Sequence, residues 1–240
     1  MPDIYPADRR SAPDWSTCRS SSGARPCVGI RVEGSEHCLA HLQAAQLAGV
    51  MTWLRPGADF DVRGTQITAE LLMRILDAVR DTSGYPRFGT VSFVQAQFSD
   101  NARFEHAQFS GLADFAAVRF SQLAEFEGVE FSQDSRFDGA LFRKDAWFGC
   151  ARFSEDAWFR RVTFGGLAAF EGAQFHGKAE FGHTQFGGLA AFEGAQFHGK
   201  AEFGHAQFGG AAKFDDAQFR QTPDFRDTAL FGTIGPDILS

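Results

Sequence analysis

The chain has no run of 18 apolar residues, so no membrane-spanning helix is expected. Its opening, MPDIYPADRRSAPDW, lacks the charged-then-apolar order of a signal peptide, and the cytoplasm is the compartment expected by default. There is no basic tail. The formal net charge is −7, which argues against direct nucleic-acid binding. Catalytic motifs are missing as well. No glycine-rich phosphate loop sits between a strand and a helix, and no serine lies in a nucleophile elbow. Carboxylate pairs such as Asp215-Asp216 read as turn residues. The expectation is a protein that is not an enzyme. Cysteine is scarce, four in 240 residues, yet three of them fall between positions 18 and 38.

Phenylalanine is abundant. There are 28, and all but Phe60 lie between Phe88 and Phe231. The gaps alternate between five and six residues, so two gaps make 11 and four make 22. A helix repeats its apolar positions every 3.6 residues and an exposed sheet every two, so neither explains this rhythm. A duplication marks the larger unit: Gly165–Phe186 and Gly187–Phe208 are identical except for Thr184 and Ala206. A block of 22 with four Phe describes one coil of a four-sided solenoid. A small residue stands two before each Phe, as at Ala168, Ala173, Ala179, Thr184, Ala190 and Ala195. Positions two apart on a strand share a face. Small residue and Phe therefore point inward, while Gln174, Glu180, Gln185 and Glu202 point outward. Gly172, Gly177, Gly182 and Gly187 are expected to turn the corners through positive φ.

This pattern resembles the pentapeptide-repeat family, whose unit has a large apolar centre and a small residue two before it. The resemblance is to an all-Phe variant with an extra residue in alternate units. It implies a mainly β fold, a right-handed quadrilateral β-helix of about 22 residues per coil, over residues 86–231. It also implies a function class. Some family members imitate duplex DNA, bind DNA gyrase, and confer resistance to quinolones or gyrase-targeting toxins. Against that, a duplex of about 30 Å carries roughly 18 negative charges. From Pro86 onward there are 20 acidic and 14 basic residues, a net charge of −6. The leading expectation is a non-enzymatic protein–protein interaction module with an unknown partner. The alternatives are a gyrase-binding duplex mimic and a structural spacer or assembly unit.

Residues 1–16 carry three prolines and are expected to be disordered. Residues 17–57 hold Cys18, Cys27, Cys38 and His41. Three thiolates and an imidazole suit a closed tetrahedral zinc site, with a structural rather than catalytic ion because no position stays open. His37 is an alternative fourth ligand, and ordinary reduced thiols are the alternative to a metal. The segment CVGIRVEGSEHCLAHL is similar to a Cys/His leader that precedes Phe-type repeats in actinobacterial proteins. A helix is expected from Leu39 to Leu54, striped by Leu42, Leu47, Val50, Met51 and Leu54. Residues 58–85 are read as a strand, Asp59–Arg63, and a helix capped by Thr68 over Ala69–Arg80. That helix is expected to plug the first coil, since an open β-helix end invites aggregation. The tail, 232–240, is too short to plug the other end, so a second copy stacked on the last coil is expected there, giving a homodimer.

Outward residues should form ladders: His176 on His198, His183 on His205, Gln174 on Gln196 and Gln218, and Glu180 on Glu202 and Asp224 beside Lys178 and Lys200. Trp147 and Trp158 each precede a Phe and should face outward on opposite sides. With Arg160 and Arg161 they are the candidate partner-binding residues, because exposed Trp and Arg mark interaction surfaces, and incidental surface is the alternative.

Overall fold

The structure, a computed structural model, describes residues 13–22 and 25–230. Its N-terminal part contains a two-strand hairpin, β1 (Ser21–Ser22) and β2 (Arg25–Pro26), and a 3-10 turn at Leu39–His41. Helix α1 (Ala44–Trp53), strands β3 (Ala58–Asp61) and β4 (Gln66–Ile67), helix α2 (Ala69–Ala78) and strand β5 (Arg87–Ser92) follow. Beyond β5 the chain is a parallel β-solenoid of about seven coils, built from strands of two residues. Equivalent strands pair 22 residues apart, as Phe120 does with Phe142 and Phe142 with Phe164.

Each coil has four faces. In one central coil they are carried by Gln174–Phe175, Ala179–Glu180, Gln185–Phe186 and Ala190–Ala191, here called faces 1 to 4. Face 1 and face 2 join through the long strand β5 into one 13-stranded sheet. Outward residues on faces 1 and 3 donate to the preceding coil, as in Gln174 N to Ala151 O at 2.9 Å and Gln185 N to Val162 O at 2.8 Å. Inward residues on faces 2 and 4 donate to the following coil, as in Ala179 N to Lys200 O and Ala168 N to Leu189 O, both 2.9 Å. In a parallel ladder alternate residues turn both amide and carbonyl to the same neighbouring coil, and interior coils leave little unpaired.

The interior is four columns of rings. Phe126 stacks on Phe148 at 4.9 Å between centroids with planes 2° apart. Phe137 meets Phe148 from a different face at 5.4 Å and 88°. Stacks run up each column and edge-to-face contacts join the columns, both favoured by the ring quadrupole. The small inward positions are buried, Ala168, Ala173, Ala179 and Ala190 at 0% exposure, and valine also fits beside a ring at Val118, Val129 and Val162. Thr184 fits by donating its hydroxyl to the carbonyl of Phe159.

Corners come in two kinds, and only one is left-handed. Five-residue steps turn at a residue of positive φ, such as Gly172 at 63°, but Cys150 at 54° and His183 at 59° take the same place. Of the four glycines expected to serve this way, only Gly172 does. Gly177 lies on a six-residue corner, where a Cβ would come within 2.5 Å of the Glu155 carbonyl carbon. Glycine there answers to the approach of the neighbouring coil, not to φ.

The solenoid also begins earlier than the Phe rhythm indicates. Val62 and Ile67, both 1% exposed, occupy ring positions in an initial partial coil. Ile67 pairs with Phe98, 31 residues later instead of 22. The extra length is the excursion through α2, which buries Leu71, Leu72, Ile75 and Leu76 in the same core as Phe88 and Phe93. Thr68 caps α2 by accepting from Leu71 N at 3.2 Å. So α2 is an insertion within the first coil, packed on the core of the solenoid.

Two further expectations change. Leu39–Leu54 is not one helix: Leu42 and Gln43 are extended, and α1 starts after them behind a Gln43/Gln46 capping box. The break lets Cys38 and His41 sit on a separate tight turn. Disorder does not extend to residue 16. Trp15 donates Nε1 to Val28 O at 2.9 Å and lies 5.0 Å from the Arg63 guanidinium. Residues 1–12 and the tail from 231 lie outside the described residues.

Candidate metal centre and lateral surface

Cys18, Cys27, Cys38 and His41 converge. Their ligand atoms all lie within 4.8 Å of one another. Cys27 Sγ is 3.8 Å from Cys38 Sγ, and His41 Nδ1 is 3.5 Å from Cys18 Sγ and 3.3 Å from Cys38 Sγ. A tetrahedral zinc site would place sulfurs about 3.8 Å apart and sulfur and nitrogen about 3.6 Å apart. The three closest of these separations match a metal's tetrahedron, so the donor set fits a metal. His37 is elsewhere, with Nδ1 3.1 Å from Ser20 Oγ, so the fourth position belongs to His41.

Local backbone prepares the sulfurs. Ser20 N donates to Cys18 Sγ and Gly29 N to Cys27 Sγ, each at 3.4 Å, and the Ala40 amide bonds to Cys38. Amide donors favour a thiolate. At Cys18 burial works against ionisation, but the amides of Cys38 and Ser20 outweigh it and bring the thiol down to about 5. Cys38 goes the other way. Burial first, then the charges of Cys27 and Cys18, push it up to about 12. Burial also raises Cys27. A divalent cation among the three sulfurs would offset this mutual repulsion and favour their thiolate forms. Gly29 closes the site from behind: a Cβ there would lie 2.8 Å from Cys38 Cβ and 3.1 Å from Thr65 Oγ1. The cluster is thereby pressed on the first coil at the corner that follows Val62.

The lateral surface holds the expected ladders. His176 stacks on His198 and His183 on His205, each at 4.7 Å. Lys178 bridges Glu180 at 2.9 Å and Glu202 at 2.8 Å, Lys200 holds Glu202 at 2.7 Å, and Arg226 holds Asp224 at 2.6 Å. This acidic ladder on face 2 is thus matched by cations.

The four expected partner-binding residues do not form one patch. Trp147 is 37% exposed on face 4, while Trp158 is half-buried on face 2. Arg160 lies 5.0 Å over the Trp158 ring and Lys178 lies 5.6 Å from it, so two cations flank the indole at contact range. Arg160 also pairs with Asp138 at 2.9 Å. Arg161 is a left-handed corner residue. Lys178 was missed as a Trp158 neighbour; the signal was available, because Lys178 is two before Glu180, which pairs with Trp158 one coil below. Trp53, 79% exposed at the end of α1, was also missed, since an amphipathic helix reading places no tryptophan in water.

Repeats, ladders and a clasped end together define a class: a four-sided solenoid of the interaction type. A family model described as pentapeptide repeats (9 copies) matches residues 104–149, 115–163, 151–196 and 192–233, and the chain belongs to that family. No curated protein and no solved structure matches the chain. Among the described residues no helix is long and apolar enough to cross a membrane.

Proposed function

We propose that the chain is a non-enzymatic protein–protein interaction module whose N-terminal end is held by a structural zinc ion on Cys18, Cys27, Cys38 and His41. The observation that carries the interaction reading is Trp158 flanked by Arg160 and Lys178. An indole and two cations, fixed on a rigid sheet, offer the residue types that dominate binding energy, with their rotamer cost already met. A partner presenting a carboxylate beside an apolar surface fits there. Zinc follows from the donor set, since three sulfurs and one imidazole at tetrahedral separations suit it best.

The test is affinity capture from the source organism with the native chain and with Trp158→Ala combined with Arg160→Glu. The reading expects at least one partner captured by the first and lost by the second. Identical captures from both, with both chains folded, would sink it.

One observation favours the duplex-mimic reading as a second choice. On the edge after face 4, Glu105, Glu127, Glu171, Glu193 and Asp215 share one column at coil spacing, interrupted at Gly149, and the only ion pair on this column is Glu193 with Lys213, among the described residues. A gyrase supercoiling assay with added protein, with and without a quinolone, separates the two readings.

A further inference from the structure

Face 4 has an open edge at its N-terminal end. Its six-stranded sheet ends at Ala102–Arg103, because the chain makes α2 where the preceding coil would add a strand. The bonds of the next coil say what is missing. In the first complete coil, Ala102 N donates to Leu123 O, Phe104 N to Glu125 O and His106 N to Glu127 O, at 2.9, 2.7 and 2.9 Å. One coil back from those acceptors are the carbonyls of Asn101, Arg103 and Glu105. Among the described residues no donor meets any of the three. Faces 1 and 2 are covered by β3 through β5, and face 3 by β4, so this gap belongs to face 4 alone.

The gap is roomy. A cleft of about 740 Å³ opens between α2 and this edge, which meet at one end where Ala69 N donates to Asp100 Oδ2 at 3.1 Å. Asn101, Arg103 and Glu105 form one wall, and Leu72, Met73 and Leu76 of α2 form the other. Met73 is 56% exposed, beside the buried Leu72 and Leu76. The volume lies in the range of built ligand sites.

We propose that this cleft takes an extended segment of a partner protein as an added parallel strand on face 4. Three carbonyls at alternate residues call for three amide donors at alternate residues, which an extended peptide supplies and a helix, with its amides spent internally, does not. By the same alternation, the donating residues point their side chains inward, toward Leu72, Met73 and Leu76. The occupant therefore carries apolar side chains at its donating positions and no proline there. Main-chain bonds supply affinity and the apolar wall supplies selectivity, the mode known as strand addition. The inference rests on the interaction reading above but uses a different surface from Trp158.

The experiment pans a random heptapeptide phage library against the full chain. Enriched peptides are synthesised plain and with alternate backbone amides N-methylated, and titrated by fluorescence anisotropy. Enriched sequences should alternate apolar and polar residues. N-methylation at the donating positions should weaken binding roughly tenfold or more. Methylation at the intervening positions should not. Met73→Glu should weaken binding of the plain peptides, and Trp158→Ala should leave it unchanged. Failure to enrich peptides, or affinity indifferent to methylation and to Met73→Glu, overturns the proposal. So does peptide binding seen only after deletion of residues 1–12 or 231–240, which would assign the cleft to the chain itself. A failure here beside intact Trp158-dependent capture would leave the lateral reading standing.

Discussion

Replacing Phe148 by Ala tests the physical basis of the rod. The ring is fully buried. It stacks on Phe126 and Phe170 at 4.9 Å each, and takes edge contacts from Phe137 and Phe159 at 5.4 and 5.5 Å. Truncating a buried Phe costs about 3–5 kcal/mol, and the upper end applies where neighbours cannot collapse into the void. They cannot here, because strands above and below hold those rings in register. Lost ring–ring geometry adds about 0.5–1.5 kcal/mol for each pair disrupted. We expect a loss near 5 kcal/mol. With a urea slope of about 3 kcal/mol/M, the midpoint should fall by roughly 1.5 M. Phe225→Ala is the control. That ring is only partly buried, stacked on Phe203 at 4.8 Å with Phe214 at 5.7 Å, and should cost less than half as much. Equal losses at the two sites, or a loss below about 2 kcal/mol at Phe148, would refute the claim that column packing holds the coils together.

Metal analysis of purified protein should find one zinc per chain, and Cys38→Ser should abolish it. Chelation should speed amide exchange across residues 17–42 while leaving the coils beyond Phe120 protected; unchanged exchange would rule out a structural ion. Burial, then the hydrogen bond and charge of Glu105, push the Glu125 carboxyl up to about 7. A folded value above the unfolded one gives stability that is fully present below about pH 4.5 and is lost as pH rises through about 7, worth up to about 3 kcal/mol. Glu125→Gln should flatten this part of the pH–stability curve, and a curve still sloping as in the native chain would show that another group is responsible. Light scattering at micromolar concentration should give a dimer through the last coil, where Leu230 is 41% exposed, and Leu230→Glu should convert it to monomer. A native chain that is already monomeric counts against that contact.

Most of the rod was legible because one residue type marks one position. Phe at five- and six-residue gaps allows few other folds, and the duplicated block gave the coil length. The first partial coil was not legible for the converse reason. Val62 and Ile67 do the work of Phe there, and α2 stretches the repeat from 22 to 31 residues, so the rhythm breaks while the geometry continues. The corners misled because glycine has two uses. Positive φ is tolerated by Cys150 and His183, whereas Gly177 is needed for the approach of Glu155, a contact absent from local sequence. At the metal centre the spacing of Cys38 and His41 was readable. The choice of His41 over His37 was not, since it depends on the extended Leu42–Gln43 link that ends the 3-10 turn.

The twin blocks Gly165–Phe186 and Gly187–Phe208 carry a consequence for length. Each contacts only its neighbours above and below, and the two are interchangeable to within one methyl-bearing side chain, Thr184 against Ala206. Excising or copying one of them would leave every backbone hydrogen bond with a counterpart. The distance from the helical cap to the far terminus can then be set in increments of about 4.8 Å, the spacing of adjacent strands. The molecule is in this sense a ruler whose graduations are written in its own sequence.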